Sequence, residues 1–253
     1  MNGATAHKIT VTYDVPDADE SWELEEEDVP ESAWHDAIIE MLKLVLRAWA
    51  ARTDLNALIC SNVALRWQRE HWKIGVDPDV AVCIPAPPEG EDTTSICTWQ
   101  PGHSPPRVAV EVVSRSTASK DYLSAPDRYA ASGTNELWVF DPKRLGPKLH
   151  GGPYVLQVWH RDDAGSFRQV YRGKGPFRSP EIGAWLVVTD GGMRLRLADD
   201  SEGTRLWPTA AEEKEQQRAL AEQKRALADQ RATALDAEVS ALRAELDRLR
   251  RGA

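Results

Sequence analysis

Apolar positions recur with different periods along the chain. After Ser32, residues Ala37, Ile38, Met41, Leu42, Val45, Leu46 and Trp49 return at three- and four-residue spacing. That is one stripe over about five turns and predicts an amphipathic helix packed against the rest of the fold. Ahead of it, KITVTYDV reads as a short strand. From Asn56 to Asp141 the period shortens: ALICSNVALRW, DVAVCI, RVAVEVV and NELWVFD are β-rich runs bounded by Pro, Gly or Asp, as sheet strands are. Between the last two, Ser124 as N-cap, Pro126 in the first turn, Asp127 three residues after Ser124 and Gly133 past the end predict a short helix. Strand, helix and strand imply a crossover between parallel strands. The stretch from Pro85 to Pro106 holds six prolines and reads as a functional loop or a local insertion.

Four further runs, YVLQVWH, SFRQVYR, AWLVVTD and MRLRLAD, follow at hairpin spacing with DDAG and DGG as turns, an antiparallel extension of the sheet. From Thr209 to Arg251 there is neither Pro nor Gly. Leu235, Val239, Leu242, Leu246 and Leu249 alternate at four and three residues, the seam of a coiled coil. Leu220 and Leu227 keep one seam position upstream, and the eight-residue step to Leu235 is a slip in register. Nine acidic and nine basic residues cancel here, as on a solvated helix that pairs through a narrow stripe. Residues 1–208 are therefore read as one α/β domain and 209–253 as a coiled-coil helix that self-associates.

Composition sharpens this picture by exclusion. At 253 residues, 42% hydrophobic and 28% charged, the chain has the makings of a full core and does not resemble disordered, collagen-like or disulfide-dense sequences. No apolar run approaches the roughly 20 residues of a membrane helix, and MNGATAHKITVTYD lacks the basic start and apolar stretch of a signal peptide. The expectation is a cytoplasmic protein with no membrane partner. Cys60, Cys83 and Cys97 form no CxxC pair, so neither a zinc knuckle nor a disulfide framework is signalled. The formal charge of −9 is uneven: eleven acids and no Lys or Arg lie between Asp14 and Asp36, an acidic arm, and the rest of the chain carries +2. A broad basic nucleic-acid footprint is thus absent, while a local, metal-assisted contact with phosphate stays open.

Two acids interrupt otherwise apolar strands. Asp79 follows Pro78 at the start of one, and Glu111 stands near the end of another. A carboxylate in a core strand is costly unless it faces a site, and two converging at a sheet edge are what a hard divalent cation takes as ligands. The plainer reading is a strand-entry Asp and a Glu paired with Arg107 or Arg115. His103, in the QPGH segment, could border such a site or serve as a turn residue. There is no Walker A, GxGxxG or GxSxG motif to support nucleotide binding or serine hydrolysis.

Taken together, PDVAV, PRVAVEVVS with Ser116-Thr117 beyond it, KDY, RYAASG and ELWVFDP resemble the Uma2 family of endonucleases (the DUF820 group), a branch of the PD-(D/E)xK nuclease superfamily. The resemblance spans about residues 32 to 142. It implies a restriction-endonuclease-like mixed β-sheet flanked by helices and a DNA endonuclease using Mg²⁺ or Mn²⁺. By resemblance, Asp79 and Glu111 are the metal ligands, with the Val112 carbonyl a further one, and His35 falls where the family tends to have a His. The superfamily's Lys two residues after the Glu is replaced by Val113. The family's alternative D-x-x-x-K-x-x-x-Y spacing, measured from Asp121, lands on Ala125 and Tyr129: the tyrosine fits and the lysine is gone. Lys120, expected in the loop before the Ser124 cap, is the candidate replacement for positioning water; Arg128 is nearby but cannot act as a base. The rival expectation is a nuclease fold that has lost catalysis and serves as a coiled-coil interaction module.

Overall fold

The computed structural model describes Trp22, residues 32–148 and residues 152–251. The expected strand at 8–15 lies outside these residues, as does most of the acidic arm; from Ala33 onward the arm is already helical. Helix α1 (Ala33–Arg52) starts where the sequence places it, with the Ser32 side chain accepting the His35 N–H. Its buried face is Ile38, Ile39, Leu42, Val45, Leu46 and Trp49, whereas Ala37 is exposed.

The remaining elements of this part are β1 (Leu58–Cys60), β2 (Ala64–Arg66), β3 (Val80–Cys83), β4 (Ser95–Cys97), β5 (Val108–Val112), α2 (Ala118–Leu123), α3 (Ala125–Ser132), β6 (Glu136–Phe140), β7 (Leu156–Arg161), β8 (Phe167–Gly173), β9 (Phe177–Arg178), β10 (Trp185–Thr189) and β11 (Arg194–Ala198). The main sheet is mixed, in the order β1-β3-β5-β6-β7-β8. Only β5 and β6 in it run parallel, the crossover through α2 and α3. The antiparallel extension comes in two parts. Strands β7 and β8 continue the main sheet, while β9, β10 and β11 form a sheet of their own, because Leu186, Leu195 and Leu197 join the apolar cluster that covers α1. The proline-rich stretch contains β4, which pairs in parallel with β2.

Strand parity sorts the core into two layers. Val80, Val82, Val108, Val110 and Val112 pack with α1, and Ala81, Cys83, Ala109 and Val113 pack with Ala118, Ala125 and Tyr129 of α2 and α3. Each fully buried Val or Leu contributes roughly 1.5–3 kcal/mol, so the central strands are pinned from both faces. Period-two geometry then sends Asp79 and Glu111 to the α2/α3 face.

The crossover departs from the sequence reading. Two helices replace one, and Lys120 lies inside α2 rather than in a loop. Ser114 and Thr117 close a turn, Ser114 N–H donating to Thr117 Oγ1 at 3.1 Å and Thr117 N–H to Ser114 Oγ at 3.3 Å, and helix starts directly after it, at Ala118 rather than after Ser124. Ser124 makes no side-chain cap and instead donates to the Lys120 carbonyl at 3.2 Å. Pro126 has no N–H to continue α2, so the chain breaks and restarts. Gly133 ends α3 at φ 91°, a left-handed position that suits glycine.

By its contacts the chain divides into Met1–Trp207 and Pro208–Ala253. The second unit is helix α4 (Ala210–Arg251), opened by a capping box in which Thr209 Oγ1 accepts from Glu212 N–H and Glu212 accepts from Thr209 N–H. Leu220, Leu227, Leu235, Val239, Leu242 and Leu246 are all exposed along it; the Leu249 side chain lies outside the described residues. No helix among the described residues is long and apolar enough to cross a membrane.

Candidate active site

Strands β3 and β5 pair with Val80 opposite Val110, so one step further along the antiparallel ladder Asp79 stands opposite Glu111. Asp79 Oδ2 accepts the Val112 N–H at 2.6 Å, which ties the aspartate to the end of β5. Glu111 is 2% exposed, and its Oε1 accepts a 2.6 Å hydrogen bond from the Tyr129 hydroxyl of α3. The tyrosine of the family spacing is thus the group that holds the glutamate.

Charge is concentrated here with little to offset it. Burial pushes the Glu111 carboxyl well above its usual range; Lys120 opposes this, and Asp121 and Asp79 add to it by repulsion. Asp121 is 1% exposed. Its Oδ2 accepts from Thr117 Oγ1 at 2.5 Å, and its Oδ1 has no hydrogen-bond partner. Burial drives its pKa up to about 7 against the pull of Lys120 and Thr117. Burial also raises Asp77, again opposed by Lys120. Lys120 sits in the field of all of these acids. Glu111 foremost, then Asp121 and Asp79, hold its ammonium above the ordinary lysine value despite burial. A lysine so placed is a fixed cation, not a base, at any physiological pH.

On the α1 side His35 is buried, with Nε2 2.6 Å from the Val112 carbonyl and 3.3 Å from Asp79 Oδ2. The imidazole N–H donates to the carbonyl, leaving Val112 O one lone pair for any other partner. His35 therefore joins both layers of the core at the end of β5.

The structure brings Asp79, Glu111, Val112 and Lys120 into one neighbourhood and adds Asp121, Tyr129 and His35. Asp121 entered the sequence reading only as the origin of a spacing, although a family aspartate at that position was the available signal. Asp77 carried no signal beyond standing before Pro78. Val113 and Ala125, the two positions where a lysine would be expected, are fully buried in the apolar layer. Glu111 makes no ion pair with arginine among the described residues, since Arg107 pairs with Glu181 at 3.3 Å. His103 is structural: Nδ1 accepts the Cys97 N–H at 3.1 Å and Nε2 lies 3.0 Å from Glu89.

Among the described residues no three His, Cys, Asp or Glu side chains stand close enough to hold a metal ion between them. The donor set still fits a hard cation. Mg²⁺ commonly takes only one or two protein carboxylates and completes its shell with water and substrate phosphate. Asp79 and Glu111 supply two, and Asp121 adds its negative charge to the field around Glu111 without joining them as a third ligand.

A family model described as "Putative restriction endonuclease", Uma2, matches residues 16–159. A solved structure from Anabaena variabilis, described as "a putative nuclease belonging to DUF820", is similar at 14% identity and a TM-score of 0.43, covering 62% of this chain and 76% of that one. No curated protein matches.

Proposed function

The chain belongs to the Uma2 family, and on that premise we propose that it is a divalent-metal-dependent DNA endonuclease whose site is built on Asp79 and Glu111. The observation that carries this reading is the facing of these carboxylates across β3 and β5, one of them fully buried, with a lysine as the nearby cation. Asp79 and Glu111 would hold Mg²⁺ or Mn²⁺, which supplies a Lewis acid that activates water and stabilises charge on the phosphate. Tyr129 fixes Glu111 Oε1, the Val112 N–H fixes Asp79, and His35 holds the Val112 carbonyl beside them. Lys120, permanently charged, orients water and balances the phosphate's negative charge; it takes no proton. Val113, packed in the apolar layer, cannot substitute for it.

Val113 and Ala125 also favour a second reading, a nuclease fold that has lost catalysis and acts as an assembly module. Plasmid nicking in Mg²⁺ and Mn²⁺ separates the two. The nuclease reading expects cleavage by the wild type that Asp79→Ala abolishes; no cleavage in either metal, or equal cleavage by both proteins, refutes it.

Self-association through α4 belongs to the same proposal. With Leu235, Leu242 and Leu249 at d and Val239 and Leu246 at a, the seam has the leucine d positions of a two-stranded parallel coil and one β-branched a. In that arrangement Arg231 meets Asp236 and Glu238 meets Arg243 of the second copy at g and e positions. Both pairs attract. A cytoplasmic location fits the reading, since DNA would be the substrate.

A further inference from the structure

A cavity of about 440 Å³ opens where β5 ends, lined by Ser32 and Trp34 at the start of α1, Ser114, Arg115 and Ser116 beyond β5, and Lys143 beyond β6. From its residues we infer that this cavity binds a backbone phosphate of the nucleic-acid strand flanking the bond to be cut. The inference rests on the nuclease reading above and adds to it a substrate-positioning subsite that neither carboxylate supplies.

Three observations converge on an anion. First, Arg115 and Lys143 are exposed, and neither forms an ion pair among the described residues. Two cations without a carboxylate beside one cavity are informative in a chain of net charge −9. Second, the cavity meets the N-terminus of α1, a helix of 20 residues, where the helix dipole and the first-turn N–H groups other than those of His35 and Asp36, which Ser32 accepts, favour negative charge. Asp36 in that first turn is exposed and does not line the cavity. Third, Ser114 and Ser116 place linked hydroxyls 3.0 Å apart on its wall, donors able to turn toward phosphate oxygens.

Geometry also selects phosphate over base. Trp34 would be the obvious stacking platform, but the Lys143 ammonium already stands 3.9 Å from the centre of its ring. The ring therefore serves to hold a cation at the cavity. Proximity to the carboxylates follows from the chain itself. Ser114 is three residues past Glu111, about 10 Å along an extended backbone. Ser32 caps the N–H of His35, whose ring reaches Val112 and Asp79. One strand of DNA can touch both places.

The test is steady-state cleavage of a fluorescein-labelled duplex by the full chain across a salt series, comparing wild type, the Arg115→Ala/Lys143→Ala double variant and, as control, Lys174→Ala, an exposed lysine that does not line the cavity. The double variant should raise KM about tenfold with kcat changed less than twofold, and lower the slope of log affinity against log salt by about 0.9, the value for one phosphate no longer neutralised. Its melting temperature should match wild type, because both side chains are exposed, and Lys174→Ala should behave as wild type. Unchanged KM and salt slope in a double variant that still cuts would overturn the subsite and leave the nuclease reading standing. An equal loss in Lys174→Ala would also overturn it, by showing diffuse attraction only. Absence of cleavage and binding in the wild type would sink both.

Discussion

Replacing Asp121 with asparagine isolates the electrostatic strain at the candidate site. In the folded protein this carboxyl is 1% exposed, with one oxygen hydrogen-bonded to Thr117 and the other without a partner, and its pKa rises from the ordinary 3.8 to about 7. Below pH 4 the group is protonated in folded and unfolded chains alike and costs nothing. Between about pH 4 and 7 only the unfolded chain releases the proton, so stability falls as pH rises, and above pH 7 the loss is complete. At about 1.4 kcal/mol per pKa unit the loss comes to about 4 kcal/mol. Asparagine cannot ionise and removes this slope. Its new N–H₂ in place of the unpartnered oxygen costs about 1–3 kcal/mol, but that penalty is the same at every pH and cancels from the trend. Removing the charge beside Glu111 acts in the same direction. Urea unfolding of wild type and Asp121→Asn in metal-free buffer, from pH 4 to pH 8, should therefore show the variant gaining on wild type by about 4 kcal/mol across that range. Parallel curves would refute the claim that Asp121 is a buried, destabilising acid.

Other expectations concern the same carboxylates, the lysine and the tail. Mg²⁺ or Mn²⁺ at millimolar concentration should raise the melting temperature by relieving the repulsion between Asp79 and Glu111, and Glu111→Gln should lose most of that rise; an unchanged wild-type curve counts against the site. Lys120→Ala should lower cleavage about 10²- to 10³-fold, as for loss of one preorganised charge, with metal-induced stabilisation intact, whereas Ala125→Lys, one turn before Tyr129 on α3, should raise activity despite an overpacking cost of about 1–3 kcal/mol. Equal cleavage by wild type and Lys120→Ala would remove that lysine from the mechanism. Deleting residues 209–253 should leave a folded monomer by light scattering, and the same oligomer with and without the tail would show that the α4 seam does something else.

What the sequence determined by itself is what local periodicity and chemistry encode. The stripe of α1, the short apolar strands and the uninterrupted run of α4 were legible because burial on one face imposes a period of about 3.6 or 2. Asp79 and Glu111 stood out because an acid in a core strand needs a reason. The tertiary structure decided matters that depend on residues far apart in the chain. Strand order, set by packing, put Asp79 opposite Glu111. The Ser114–Thr117 turn and Pro126 split the crossover and lifted Lys120 and Asp121 onto a helix over the carboxylates. β9 to β11 formed their own sheet because Leu186, Leu195 and Leu197 gained more against α1. Burial is a property of the assembled core, so the conversion of Asp121 from a spacing marker into a carboxyl poised near pH 7 could come only from the neighbours that folding places around it.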